Sequence, residues 1–338
     1  SVAIETLPKT IVDKQSLGVN GVSGASITSK AILAAVAACV KQAGGNVEAL
    51  SKVQKTQTAA PAQTLNADIA IVGAGAAGQT AAIRASELGK KVVLLEKMPF
   101  AGGAAAVNGG TVVIQGSKIQ KDAGVKDDSP AIMTEDYIKN GHNLNDRRML
   151  ALYVNNVGPM VDWATTYAGM KLNTKAGFTN EAEHSKPRVM RWIDGAQGAT
   201  RYFKAAVAKS GTKLLLGTPA KELIVKDGKV VGVKAQGSDG TFYTINAPAV
   251  ILTTGGFGAN KGMLSGNLKN ALYYGVKSSN GEGHQMAMKI GAKTQMMDLG
   301  KIYPNGMEVA PGIAKSTIWS NKAAFEDNAG IMVNKAGK

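Results

Sequence analysis

A single cysteine, Cys39, leaves no partner for an intrachain disulfide. It stands in the apolar run 31–40, where a small core side chain is expected rather than a reactive thiol. The three histidines, His142, His184 and His284, show no metal-ligand spacing, so no metal site is expected. His184, within Glu183-His184-Ser185-Lys186-Pro187-Arg188, is expected as a plain loop histidine, with a cavity-lining role as the weaker alternative. No apolar run approaches the roughly 20 residues that cross a bilayer. The run 31–40 is too short, and follows a motif, so it is neither a span nor a signal peptide. Aromatic residues make up only 5% of the chain. The formal net charge is +15, yet Lys and Arg are dispersed singly, with no basic block and no aromatic-interleaved patch. That pattern favours a solvated basic surface over a nucleic-acid surface. It leaves a solvated basic face that draws small carboxylates and an acidic electron donor.

Glycine, by contrast, is abundant, and its placement is informative. Residues 68–96 read as a buried strand, a Gly73-x-Gly75-x-x-Gly78 turn, an amphipathic helix, a second strand and a carboxylate, Glu96. One glycine makes the tight turn, one lets the backbone approach a pyrophosphate, and one packs helix on strand. The pyrophosphate then meets the unpaired N–H groups at the helix start, Ala77 among them. Glu96 stands where an adenosine ribose would be held. A dinucleotide-binding α/β unit follows.

The nucleotide is expected to be FAD rather than NAD. Lys97-Met98-Pro99-Phe100-Ala101-Gly102-Gly103-Ala104 and Asn108-Gly109-Gly110 follow the second strand, and glycine pairs admit a bulky ligand where a Cβ would clash. Val250 to Leu252, then Thr253-Thr254-Gly255-Gly256-Phe257-Gly258, is a short strand ending in a glycine turn, as where a returning strand reaches the cofactor. Asn280-Gly281-Glu282-Gly283-His284 opens a helical pattern over 285–292, again a glycine turn at a helix start.

In this order, these runs resemble the flavoprotein subunits of the fumarate reductase and succinate dehydrogenase family, in particular its soluble single-chain bacterial reductases. Asp128-Ser129-Pro130, Asn143-Leu144-Asn145-Asp146, Val161-Asp162-Trp163 and Thr218-Pro219-Ala220-Lys221-Glu222-Leu223-Ile224 agree with it too. The resemblance covers residues 66–338 and implies FAD held by Gly73, Gly75, Ala77, Gly78, Glu96, Lys97, Gly102, Gly103, Ala104, Gly109, Gly110, Ala220, Thr254, Gly255, Gly256 and Glu282. Gly110 is assigned to the substrate as well.

Upstream, Asn20-Gly21-Val22-Ser23-Gly24-Ala25-Ser26-Ile27-Thr28-Ser29 resembles the end of the FMN-binding domain of sodium-pumping quinone reductases, which is also fused to several fumarate-reductase-like enzymes. In that family the last hydroxyl of D-x-x-S/T-G-A-S/T is joined to the FMN phosphate. Ser26 matches the acceptor, while Asn20 departs from the usual Asp. A hydroxyl at a helix start suits a phosphoester; an ordinary serine N-cap is the alternative.

The expected organisation is therefore an FMN-domain tail at 1–50, a polar linker at 51–66, a doubly wound FAD-binding Rossmann-type domain at 67–301, and the start of a substrate-capping domain at 302–338. Turn signals at Lys226-Asp227-Gly228 and Ser238-Asp239-Gly240 predict an antiparallel meander over 213–233 and 241–251, and the period over 129–207 is mainly helical. Residues 329–338 resemble the strand and turn before the family's catalytic arginine, so the proton-donating arginine is expected beyond Lys338.

The resemblance implies reduction of a carbon–carbon double bond conjugated to a carboxylate: hydride from N5 of FAD, protonation by an arginine, electrons relayed through covalent FMN. Tyr303-Pro304-Asn305 stands where fumarate-reducing relatives have a His-Pro-Thr run, which offers a neutral phenol to the substrate. Counting back from Asn334, Lys322-Ala323 falls where they have Thr-Glu. Fumarate would leave a buried carboxylate poorly paired there. A mono-carboxylate enoate, urocanate-, acrylate- or cinnamate-like, is the expected substrate; the urocanate-reductase branch also has tyrosine at that position. No acid for a urocanate imidazole is evident unless Glu326 or Asp327 serves. Fumarate reduction, a dehydrogenase or oxidase of the same fold, and an electron-transfer module without substrate remain alternatives. The donor is expected to be a cytochrome or a flavin or quinol reductase. The FMN resemblance implies the periplasm or cell surface, with the cytoplasm as the alternative.

Overall fold

The computed structural model describes residues 2–22, 25–52, 61–179, 181, 183–303, 306–316, 331, 333, 336 and 337. The chain divides into two compact units, Ser1–Thr253 and Thr254–Lys338.

The first unit opens with three helices, α1 (Val2–Lys14), α2 (Ser26–Gln42) and α3 (Val47–Lys52). α1 and the turn after it supply a small core of Ala3, Leu7, Ile11, Val19 and Val22, against which Ile32, Leu33 and Val36 of α2 and Phe100 pack. Cys39 is exposed on α2, contrary to the expectation of a core residue. The apolar run is only partly covered, because α1 takes one side of it and the rest meets solvent.

Residues 53–60 of the expected linker lie outside the described residues. Its last residues are not linker: Gln63–Asn66 forms strand β1. Next come β2 (Ile69–Val72), helix α4 (Ala76–Glu87) and β3 (Val92–Leu95). All four residues of β3 are buried, as expected for a parallel strand covered on both faces. Ile71, Leu94 and Leu95 are at most 1% exposed, and each contributes about 1.5–3 kcal/mol by burial. Helix α4 ends at Leu88, followed by Gly89 with φ of 73°, a glycine stop of the usual left-handed kind.

A short ribbon of β4 (Thr111–Val113) and β5 (Val189–Arg191) brackets a helical stretch: α5 (Lys118–Asp122), α6 (Pro130–Asn140) and α7 (Arg147–Thr166). Ser129 and Asp146 cap α6 and α7 by accepting the N–H groups of Ile132 and Met149, the side-chain capping that these residue types predict. Helix α8 (Gly195–Lys209) follows β5 and packs on α4 through Ile83, Ala206 and Val207.

The remaining strands of the unit are β6 (Lys213–Leu215), β7 (Ala220–Lys226), β8 (Lys229–Gln236), β9 (Phe242–Asn246) and β10 (Ala249–Leu252). They divide between two sheets. One is parallel, in the order β10-β2-β3-β6; the other runs β1-β9-β8-β7. The meander is therefore β7-β8-β9 alone. β6 and β10 pair in parallel with β3 and β2, and β1 pairs in parallel with β9. The turn signals located the hairpins correctly, but pairing partners far apart in sequence leave no local mark.

The second unit contains α9 (Glu282–Lys289) and the antiparallel pair β11 (Gly306–Ala310) and β12 (Ile313–Ser316). Helix α9 starts earlier than the pattern over 285–292 suggested, because left-handed Gly281 caps it.

Candidate functional site

At the carboxyl end of β2 the chain makes the glycine turn. Gly73 takes φ of 103° and donates its N–H to the Leu95 carbonyl at 2.8 Å. Gly78 sits on the turn: a Cβ there would stand 1.8 Å from the Gly73 carbonyl oxygen and 2.6 Å from Thr253 Oγ1. That hydroxyl donates to the Val72 and Gly73 carbonyls, locking β10 to the turn. Gly75 caps α4 with no side chain of its own, so the first-turn N–H groups, Ala77 included, point out of the helix end.

Gly102 and Gly103 close against this turn. The Gly102 N–H donates to the Ala74 carbonyl at 2.8 Å, and Gly102 bridges Gly75. A Cβ on Gly103 would lie 3.3 Å from Gly75 Cα. Both glycines have positive φ. Ala104, exposed, lies in the single 3-10 turn Gly103–Ala106 that follows. Glu96, 7% exposed, accepts the Ala74 N–H on Oε2 and the Met98 N–H on Oε1, each at 2.8 Å. The carboxylate thus ties the glycine turn to the loop after β3, and each oxygen keeps a further lone pair for a ligand hydroxyl. Lys97 is half-buried beside it. Ala220 starts β7, two residues after Thr218, whose N–H donates to the Glu96 carbonyl at 2.8 Å.

Gly109 and Gly110 lead into β4. The Trp192 N–H donates to the Gly110 carbonyl at 2.9 Å and Arg191 Nη1 to the Gly109 carbonyl at 2.8 Å. With φ of 72°, Gly110 lies so close to Gly195 that an added Cβ would come within 2.4 Å of its Cα.

Within the second unit, Thr254 packs on the start of α9: a Cβ on Gly283 would stand 2.0 Å from Thr254 Oγ1. Glu282 is the first residue of that helix, Gly255 has φ of 73°, and Gly256 is exposed. Tyr303 meets the ring of Tyr274 edge-on, centroids 5.8 Å apart, and Lys301 Nζ stands 4.9 Å from the Tyr303 ring centre. Burial, then Tyr303's charge and hydrogen bond, push the Tyr274 phenol up. Tyr274 was not singled out in the sequence; no local pattern marks a tyrosine that meets another across a fold. Pro304, Asn305, residues 322–327 and most of 329–338 lie outside the described residues, as do Ser23 and Gly24.

Ser26 is the first residue of α2 and is exposed. The expected N-cap alternative is not what forms: the cap position is Ala25, with no side-chain hydrogen bond. The buried hydroxyl of the segment belongs to Ser29, which accepts the Val22 N–H at 2.9 Å.

The described glycines divide cleanly. Nearly all have either left-handed φ or a neighbour that a Cβ would meet within 4 Å. Gly75, Gly109 and Gly256 have neither. An alanine at each would fit the protein as it stands and would lower the entropy of the unfolded chain. Within the first unit, the open space at Gly75 and Gly109 fits a bound ligand such as an extended dinucleotide, to which the sequence assigned both.

Comparison with known proteins adds the following. The FAD binding domain family matches residues 68–338. Urocanate reductase of Eggerthella lenta is 32% identical over all of this chain and 56% of its own length. Fumarate reductase (cytochrome) of Shewanella frigidimarina is 31% identical, over 85% of this chain and 49% of the relative. The open conformation of a flavocytochrome c3 fumarate reductase superposes with a TM-score of 0.63 at 28% identity, covering 68% of this chain and 41% of the other. The chain spans about half the length of the relatives it matches.

Proposed function

This chain belongs to the FAD binding domain family, and from that premise we propose that it is the flavin-carrying part of a reductase acting on the double bond of an α,β-unsaturated carboxylate. The observation that supports the reading most directly is the pair Gly75 and Gly109 of the first unit, glycines with open space above them and no conformational need to be glycine. FAD, when bound, supplies the hydride chemistry. The protein's part is to bind and orient it. The first-turn N–H groups of α4 would receive pyrophosphate charge, Glu96 would hold ribose hydroxyls, and the glycines of the 102–103 and 109–110 turns would admit the cofactor. Urocanate- and fumarate-reducing activities belong to the named relatives; for this chain, Tyr303 favours a mono-carboxylate enoate, since a phenol donates a hydrogen bond without a charge.

In the same reading Ser26 carries FMN through a phosphoester. Its exposed hydroxyl at the start of α2, free of a capping role, supports this. FMN would relay electrons from an acidic donor protein, outside the cytoplasm. Purified full-length protein should release FAD on acid precipitation and retain a covalent flavin adduct mapping to Ser26. It should also oxidise a reduced low-potential dye on addition of urocanate, acrylate or cinnamate. Turnover with fumarate alone would replace the substrate class; bound flavin with no turnover on any enoate would defeat the reductase reading.

A further inference from the structure

Arg188 is wholly buried, and two carboxylates from other segments meet its charge. Nε donates to the two oxygens of Asp128 at 3.0 and 2.8 Å, and Nη2 to Asp128 Oδ1 at 2.7 Å. Nη1 reaches Asp136 on α6. Gln120 on α5 donates to Asp128 Oδ2 at 2.8 Å and to the Pro187 carbonyl at 2.9 Å. Ser185 donates both its N–H and its hydroxyl to Asp136.

Such a cluster is a poor source of stability, because desolvating the ions offsets most of their attraction and apolar replacements often do as well. Its use lies in geometry. Arg188 immediately precedes β5, and its carbonyl accepts the Ile114 N–H at 2.7 Å. From there the ribbon runs Val113 against Val189, Val112 against Met190 and Thr111 against Arg191. It ends where Trp192 and Arg191 hold Gly110 and Gly109. Apolar packing favours this register, since Ile114 is wholly buried in the core that holds Met190 and Trp192. A two-residue slip would put Gly116 or Val112 in its place and leave that core underfilled. A guanidinium that must sit between Asp128 and Asp136 cannot slide. A two-residue slip would carry Gly110 about 7 Å along the strand, away from its close fit on Gly195.

We propose that Arg188 is a positioning residue that pins the register of the β4–β5 ribbon and so sets the Gly109–Gly110 turn of the flavin and substrate site. The functional half of this inference rests on the reductase reading; the register half does not.

The test compares full-length wild-type protein with Arg188→Lys, which keeps the charge but loses the fork. Amide hydrogen exchange at Ile114 and Trp192 should quicken about tenfold, while the amides of Val92–Leu95 keep their protection. FAD should bind more weakly, and kcat should fall about a hundredfold with KM changed far less. If Arg188→Lys does not fold, Asp136→Asn, which leaves the Asp128–Arg188 pair in place, should give the same local loss in smaller degree. Unchanged exchange at Ile114 and Trp192, with only a lowered melting temperature, overturns the pin. A wild-type protein that reduces no unsaturated carboxylate counts against the proposed function alone, and the exchange measurement still decides the register.

Discussion

Two glycines of one turn, Gly75 and Gly78, stand in opposite surroundings. At Gly78 the protein itself forbids a side chain, since a Cβ would press on the Gly73 carbonyl at 1.8 Å. Gly78→Ala is expected to cost about 1–3 kcal/mol or more through overpacking, measurable as a lowered unfolding midpoint with no ligand present. At Gly75 nothing stands within 4 Å of the added Cβ. Gly75→Ala should leave the unfolding midpoint of the flavin-free protein within about 0.5 kcal/mol of wild type yet weaken FAD binding sharply, as titration of the stripped protein would show. Equal FAD affinity in that variant would remove the main support for the cradle. Glu96 is a third case, with both oxygens holding backbone N–H groups. Glu96→Ala leaves two donors unpaired and should destabilise the flavin-free protein by about 1–3 kcal/mol per unmet group.

At the scale of elements, the segment joining α6 to β5 is where acid should act first. Burial pushes the Asp136 carboxyl up, but the Ser185 N–H, Arg188 and the Ser185 hydroxyl outweigh it and hold the group below its ordinary value of 3.8. Burial, and then the Arg188 charge, hold His184 below its ordinary 6.5 despite the neighbouring acids Asp136, Glu183 and Glu181. In both cases the unfolded chain binds protons that the folded chain does not. Stability therefore rises with pH and is lost as pH falls. For His184 the loss begins as pH drops below 6.5 and continues through its folded value; for Asp136 it begins below 3.8. Thermal midpoints measured from pH 8 to 3 should decline in those two windows, and a flat profile between pH 7 and 5 would contradict the His184 part. Replacing Arg188 by alanine strands two carboxylates in the interior and should cost about 3–5 kcal/mol.

For the whole molecule, charge is the property that counts. A formal net charge of +15 without a basic block gives a diffuse positive field, which attracts anions at range and is screened by salt. Reduction by an acidic donor protein should therefore slow as ionic strength rises, whereas reduction by a small neutral dye should not. Stopped-flow traces at low and high salt separate the two. The proposed covalent FMN is tested on the whole protein as well. Ser26→Ala should remove any flavin adduct from the intact mass while FAD stays, and it should slow electron delivery more than it alters FAD affinity.

The α/β class, the β2–α4–β3 nucleotide unit and the meander turns were legible because their signals are local. A strand's burial, a helix's cap and a turn's glycine all act within a few residues of themselves, so the turn that holds Gly73 and Gly78 between β2 and α4 was readable at short range. The tertiary structure alone decided the rest. It moved Gln63–Asn66 from linker to strand, because only its partner β9 makes it one. It assigned β6 and β10 to the parallel sheet rather than the meander, left Cys39 in solvent, and set Tyr274 beside Tyr303. It gathered Arg188, Asp128 and Asp136 into one buried cluster. In each case the deciding contact joins residues far apart in the chain, and local sequence holds no record of which distant surface will cover it.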